Sequence, residues 1–301
     1  MTLSRPQVQR LLADHGLRPR RALGQNFVAD PNTVRKIVRL AAVSDGDPVV
    51  EVGAGLGSLT LALADAGADV VAVEVDPELV PILRDVVAGR QVAVVEADAL
   101  RLDWGELLGG GGGGRRWSLV ANLPYNVAVP VVVRVLEDAP QVHSLLVMVQ
   151  REVGERLAAG SGDDAYGAVS VVVAYWATSS VVGRVSPEVF VPRPNVESVL
   201  VRIDRRPAPA VPTAVVTYDR LRLVVRAGFA HRRKMLRRSL AGVVPPEAFA
   251  AAGVAPEARA EELDVEQWGR LAAWQRTADG QTADDQTGES GAGESGAPPG
   301  R

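Results

Sequence analysis

A chain of 301 residues, 47% hydrophobic and 23% charged, is long enough for one large cored domain and a smaller one. The absence of cysteine excludes disulfides and thiolate metal sites, and the three histidines, His15, His143 and His231, are not spaced as a ligand pair, so no metal is expected. No apolar run reaches the length of a membrane span and the first residues lack the apolar core of a secretory signal, so the expected address is the cytoplasm.

The formal net charge of −3 conceals an uneven distribution. Up to Leu40, eight cations (Arg5, Arg10, Arg18, Arg20, Arg21, Arg35, Lys36 and Arg39) face two carboxylates, Asp14 and Asp30. Six more cations and no carboxylate lie between Arg226 and Arg238. The tail from Thr277 carries Asp279, Asp284, Asp285, Glu289 and Glu294 against Arg301 and offsets these basic segments in the total.

In chain order, Ser4 caps a short helix bearing Val8, Leu11 and Leu12 and stopped by Gly16, and Asp30-Pro31 opens a second helix with Val34, Ile37, Val38 and Ala41 at helical spacing. An arginine-rich loop ending in Leu23-Gly24-Gln25-Asn26-Phe27 joins them. Apolar runs then alternate with helical patterns: Val49 to Val52, Leu59 to Ala66, Val70 to Val73, Pro77 to Val87, Val92 to Val95, Leu119 to Ala121, Pro130 to Leu136 and Leu145 to Val149. This rhythm predicts an α/β fold, a parallel, doubly wound, Rossmann-like sheet with helices on both faces. The glycine run Gly109 to Gly114 reads as a surface loop. Val169 to Trp176 and Val196 to Ile203 read as two strands that finish the sheet, separated by the proline-rich corner from Ser186 to Pro194. The predicted domains are a catalytic domain over residues 1–206 and, beyond the linker Arg205 to Pro209, a small helical domain over 207–276 marked by Leu221, Val224 and Val225, by Leu236 and Leu240, and by Asp264 capping Val265, Trp268 and Leu271. Residues 277–301 contain nothing to bury and are expected to be disordered.

The sharpest local feature is Val49-Val50-Glu51-Val52-Gly53-Ala54-Gly55-Leu56-Gly57, a buried strand entering a glycine turn and then a helix from Ser58, which suits the close approach of a nucleotide moiety. The third glycine falls one position early for the dinucleotide fingerprint. Glu74 ends the next strand, about 20 residues on, where a carboxylate accepts both ribose hydroxyls. Asp98 ends the strand after that, placed to accept from an adenine amine. These acceptors fit a phosphate-free adenosine, and S-adenosylmethionine is such a ligand.

Ala121-Asn122-Leu123-Pro124-Tyr125 follows the fourth strand at the carboxyl edge of the sheet. The N6 amine of adenine is a poor nucleophile because its lone pair is delocalised. Acceptors that hold its hydrogens favour a reactive, pyramidal nitrogen, and the Asn122 side chain and Leu123 carbonyl supply two, with Pro124 fixing the turn. Tyr125 is placed to stack on the base, and Phe190, in a proline-stiffened loop, to clamp its other face.

The segments Leu23-Gly24-Gln25-Asn26-Phe27, Glu51 to Gly57, Asn122-Leu123-Pro124-Tyr125-Asn126, Phe190 to Ser198 and Arg232 to Leu236 together resemble the successive motifs of the bacterial small-subunit rRNA adenine N6-dimethyltransferases, the kasugamycin-sensitivity methylases, from about Leu23 to about Trp274. The resemblance implies contacts to S-adenosylmethionine from Asn26, Val28, Gly53, Glu74, Asp98 and Asn122, and Gly55 of the glycine turn is expected to share that site. It also implies dimethylation of two adjacent adenosines in the 3′-terminal hairpin of 16S rRNA, within the small subunit or its precursor, consuming four cofactor molecules. Arg18, Arg20 and Arg21 on one side, and Arg232, Arg233, Lys234, Arg237 and Arg238 on the other, are expected to grip RNA phosphates, and no sign of oligomerisation accompanies them. The glycine run and the acidic tail depart from the family pattern.

Rival readings separate on particular residues. The sister enzymes of macrolide resistance, which act on large-subunit rRNA, share the cofactor motifs but usually carry isoleucine where Leu123 stands. An NAD-dependent oxidoreductase needs a proton-handling group at a strand end, and no histidine lies there. A non-catalytic assembly factor is expected to lose the Asn-Leu-Pro-Tyr acceptors, which this chain keeps.

Overall fold

The computed structural model describes residues 2–20, 23–109, 114–231 and 234–274. Helix α1 (Arg5–Asp14) begins where the Gln7 side chain accepts the Ser4 N–H at 2.8 Å, and α2 (Pro31–Ala41) where Asp30 accepts the Thr33 N–H at 2.7 Å; the two-residue strand β1 (Phe27–Val28) lies between them. The alternation then runs β2 (Pro48–Val52), α3 (Ser58–Asp65), β3 (Asp69–Glu74), α4 (Leu79–Val86), β4 (Val92–Glu96), α5 (Trp104–Leu108), β5 (Trp117–Asn122), α6 (Ala128–Asp138) and β6 (Val142–Gln150). After β6 come α7 (Arg151–Ala158), α8 (Ala168–Trp176), β7 (Ala177–Val185), β8 (Phe190–Val191) and β9 (Ser198–Arg205).

Seven strands form one sheet in the order β4-β3-β2-β5-β6-β9-β7, parallel from β4 to β6 and antiparallel at the β6–β9 and β9–β7 pairings. One face is covered by α2, α3 and α4 through Ile37, Leu63 and Leu83, the other by α5, α6 and α7 through Trp104, Val135 and Leu157. The chain moves outward from β2 to β4 and returns to set β5 beside β2, so strand order reverses between those two. Open α/β sheets bind ligands in the crevice that such a reversal leaves at the carboxyl ends. The glycine turn after β2 and Asn122 at the end of β5 both meet there.

Two sequence expectations are corrected. Val169 to Trp176 lies within α8, not in a strand: the helix packs on α6 and α7 on one side and on the C-terminal helices on the other, so apolar residues surround it and no amphipathic period remains. The sheet is finished instead by β7, an edge strand whose exposed Thr178, Ser180 and Val181 gave no clean alternation. Arg205, expected in a linker, ends β9 and donates to the carbonyls of Val135, Leu136, Ala139 and Val142 around the C-terminus of α6.

Helices α9 (Tyr218–Phe229), α10 (Leu236–Ser239), α11 (Pro246–Ala252) and α12 (Val265–Ala273) gather around Leu221, Leu236, Phe249 and Trp268. Tyr166 and Tyr175 enter the same cluster from the α8 region. Asp264 caps α12, accepting the Gln267 N–H at 2.7 Å, as its sequence position predicts. Among the described residues, no helix is long and apolar enough to cross a membrane. The expectations for the tail and for most of the glycine run fall on residues outside those described.

Candidate active site

Gly53 and Gly55 turn the chain out of β2 with φ of +72° and +58°, a conformation that disfavours any side chain. A Cβ at Gly55 would lie 3.0 Å from the Phe27 ring, so the turn packs directly under the segment that precedes α2. Glu74, at the end of β3, is 5% exposed and closes one side. Its Oε2 accepts the Gly55 N–H at 2.7 Å, and its Oε1 accepts those of Val75 and Asp76 at 3.0 and 2.9 Å. Burial raises its pKa, and the three N–H donors oppose the shift. Glu51, inside β2, is buried at the floor of the same site; burial pushes it up to about 8, partly opposed by the Thr60 hydroxyl that donates to it at 2.6 Å and reinforced by the nearby Glu74.

Asn122 sits opposite this turn. Its Nδ2 donates to the main-chain carbonyl of Asn26 at 2.9 Å, and a carbonyl can only accept, so the amide is oriented with its oxygen left over. Leu123 and Pro124 continue the wall, and Tyr125 is fixed by a 3.0 Å hydrogen bond between its hydroxyl and that of Ser198 at the start of β9.

These residues line an open cavity that brings together Asn26, Val28, Gly53, Gly55, Glu74 and Asn122. Asp98 lines an adjoining cavity that shares Leu23, Gly53, Val75 and Pro124 with the first. There Asp98 Oδ1 accepts the Leu100 N–H at 2.9 Å while the side chain stays 43% exposed, with capacity to accept from a ligand. Val75, between the two cavities, is 48% exposed, an apolar platform suited to a flat base. No lysine or arginine lines either cavity among the described residues, while Glu51 and Glu74 line the first. These acceptors suit the hydroxyls and amine of an uncharged adenosine, and walls without a lysine or arginine suit its positively charged sulfur. The Ser58 hydroxyl, also in the lining residues, is buried with no hydrogen-bond partner in the protein, as expected of a group completed by a polar ligand.

Two assignments made from sequence are not met by the geometry. Phe190 is fully buried: β8 pairs antiparallel with β1, setting Phe190 opposite Val28, and the pairing turns its ring into the core instead of over a base. Arg20 is committed to ion pairs with the buried Asp76 at 3.3 Å and with Glu78 at 2.5 Å, so it braces the site and is not a free phosphate grip. Arg18, Lys234, Arg237 and Arg238 are exposed, with Arg237 paired to Glu257 at 3.1 Å; Arg21, Arg232 and Arg233 lie outside the described residues. Glu51, Gln25 and Asp76 were not singled out in the sequence, although a lone carboxylate within Val49-Val50-Glu51-Val52 was a usable signal.

A family model for ribosomal RNA adenine dimethylases matches residues 16–276. Among relatives, a ribosomal RNA small subunit methyltransferase A of Thermobifida fusca is 48% identical over 281 residues, covering 90% of this chain and 95% of that one. One of Rhodococcus opacus is 46% identical over 278 residues, covering 89% and 92%. Of solved structures, the 23S rRNA methyltransferase ErmE superposes with a TM-score of 0.64 at 27% identity, covering 82% of this chain and 98% of that one. A dimethyladenosine transferase from Plasmodium falciparum gives 0.66 at 22% identity, covering 80% and 94%, which bears on the fold alone.

Proposed function

The chain belongs to the ribosomal RNA adenine dimethylase family, and from that premise we propose that it uses S-adenosylmethionine to convert two adjacent adenosines in the 3′-terminal hairpin of 16S rRNA to N6,N6-dimethyladenosine during small-subunit maturation. The name shared by relatives 46–48% identical over about nine-tenths of the chain supports the small-subunit substrate. The observation that carries the chemistry is the oriented amide of Asn122 beside the cavity that Glu74 closes.

Bound S-adenosylmethionine supplies an electrophilic methyl on a positively charged sulfur. Glu74 accepts from the ribose hydroxyls with the lone pairs its backbone donors leave, and Asp98 accepts from the adenine amine of the cofactor. Asn26, Val28, Gly53 and Gly55 shape the wall between them. The Asn122 oxygen and the Leu123 carbonyl would accept the hydrogens of the target N6 and so keep its lone pair out of conjugation, while Pro124 holds the turn. Tyr125, tethered through its hydroxyl, offers a ring for the target base to stack on. With Phe190 turned inward, the stacking falls to Tyr125.

In this reading residues 1–206 carry catalysis, residues 207–276 hold RNA through Lys234, Arg237, Arg238 and the neighbouring Arg232 and Arg233, and Arg18 and Arg21 grip it from the other side. The protein works as a cytoplasmic monomer. No metal takes part, which rests on a cysteine-free sequence whose histidines are not spaced as ligands.

The test is transfer of labelled methyl from S-adenosylmethionine to small ribosomal subunits lacking adenine dimethylation, with large subunits in parallel and the modified nucleoside identified by mass. Dimethyladenosine in small-subunit RNA alone is expected. Label confined to large subunits would place the activity with ErmE, and none in either would leave a non-catalytic assembly factor.

A further inference from the structure

Gln25 and Asp76 join the two halves of the site. Asp76 is 3% exposed, and its Oδ2 accepts from Gln25 Nε2 at 2.7 Å. Its Oδ1 accepts the Glu78 N–H at 3.1 Å and the Arg20 guanidinium at 3.3 Å, while its own N–H donates to Glu74 Oε1 at 2.9 Å. The other end of the Gln25 amide is also used, its Oε1 accepting the Arg20 N–H at 2.7 Å. On one side of Gln25, the Asn26 carbonyl receives the Asn122 amide. On the other, Gly24 packs so closely that a Cβ there would lie 3.0 Å from both Pro124 Cβ and Asn126 Oδ1. An unbroken run therefore leads from Glu74 through Asp76, Gln25 and Asn26 to Asn122.

We propose that Gln25 and Asp76 are positioning residues for methyl transfer: their buried hydrogen bond sets the Leu23–Phe27 segment against Asn122 and ties the aim of the catalytic amide to the seat of the cofactor ribose. The proposal rests on the reading of the cavity as the S-adenosylmethionine site. The segment reaches the two-stranded pairing only at Phe27; before it, the Leu23 and Gln25 N–H groups donate to the Arg20 carbonyl at 3.1 and 3.3 Å and close a local turn, and side-chain bonds tie that turn to Asp76 and to Asn122. A short hydrogen bond between a buried carboxyl group and an amide is well suited to the task. An Asn122 that loses its fixed carbonyl partner is free to turn its oxygen away from the target amine.

The experiment compares wild type, Gln25→Ala, Asp76→Asn and the double swap Gln25→Glu/Asp76→Asn. For each, it measures kcat at saturating S-adenosylmethionine, the dissociation constant of S-adenosylhomocysteine by calorimetry, and the melting temperature. The swap exchanges donor and acceptor across the contact: a carboxylate at 25 still accepts the Arg20 N–H, and an amide at 76 donates to it while its oxygen still accepts the Glu78 N–H. Each single variant is expected to lose about tenfold or more in kcat and about tenfold in product affinity, with the swap restoring kcat to within about threefold of wild type. Single variants that melt earlier but keep wild-type kcat would reduce the bond to an ordinary loop tether and overturn the proposal. So would a swap that regains thermal stability without regaining kcat. Gln25→Asn, which keeps the amide and shortens its reach, is read in the same way should the alanine variant not fold. A wild-type protein that neither binds S-adenosylhomocysteine nor transfers methyl would count against the functional reading itself, a result visible before any variant is compared.

Discussion

The side-chain nitrogen of Asn122 donates to the main-chain carbonyl of Asn26 across 2.9 Å, linking the end of β5 to the segment that leads into β1. This bond fixes which end of the amide faces the segment; in the proposed mechanism the oxygen is what accepts from the target amine. Asn122→Ala is expected to abolish methyl transfer while product binding, measured by calorimetry, is weakened but still detectable. Asn122→Asp keeps an acceptor but sets a carboxylate against the Asn26 carbonyl, so its rate is expected to fall by about 100-fold or more, the range seen when one transition-state hydrogen bond is removed. Full activity in either variant would sink the proposed role.

Glu74 illustrates a residue whose loss is felt twice. Its carboxylate satisfies the N–H groups of Gly55, Val75 and Asp76 and also faces the cavity. Glu74→Ala strips the ribose acceptor and leaves buried donors unpaired, each at about 1–3 kcal/mol. The dissociation constant for S-adenosylhomocysteine should rise by about 100-fold and the melting temperature should fall by several degrees. An unchanged dissociation constant would remove Glu74 from the cofactor site.

The parts of the site legible in the sequence are those that ride on strand ends. Val49 to Val52 announced a buried parallel strand because it is apolar on both faces apart from Glu51, and the glycines, Glu74, Asp98 and Asn122 followed from where strands stop. Contacts between residues far apart in the chain leave no such local trace. Nothing near Arg20 reveals that Asp76, 56 positions on, claims its guanidinium, and nothing in Val189-Phe190-Val191 tells that β8 pairs with β1 and turns the ring inward. The α8 helix failed for a different reason: burial on several sides erased the period that separates helix from strand.

The basic surface of the helical region is not uniform. Arg237 is paired with Glu257 at 3.1 Å, whereas Lys234 and Arg238 are exposed with no carboxylate partner among the described residues. Removing a side chain that contacts a phosphate lowers affinity and flattens its dependence on salt by about one counterion. Arg238→Ala and Lys234→Ala are therefore expected to reduce the slope of log affinity against log salt for a 16S hairpin RNA, read by fluorescence anisotropy, each by about one, and Arg237→Ala by less. Equal effects from Arg237→Ala and Arg238→Ala would show that the Glu257 pair does not hold in solution.

Glu51 gives a prediction with a definite sign in pH. Its pKa rises from 4.5 in the unfolded chain to about 8 in the fold, chiefly because burial penalises the charge. Below pH 4.5 both states hold the proton and its contribution to stability is complete. As pH rises toward 8 the unfolded chain ionises freely while the folded carboxyl stays protonated, so stability is lost at up to about 1.4 kcal/mol per pH unit. Glu51→Gln keeps an acceptor for the Thr60 hydroxyl and removes the ionisation, and the titration of Glu74 remains common to both proteins. Urea unfolding of the cofactor-free proteins should therefore give similar stabilities near pH 5 and a variant increasingly more stable than wild type toward pH 8. A difference that stays constant across that range would mean that Glu51 is already ionised in the native protein, and that its surroundings are wetter than its 2% exposure indicates.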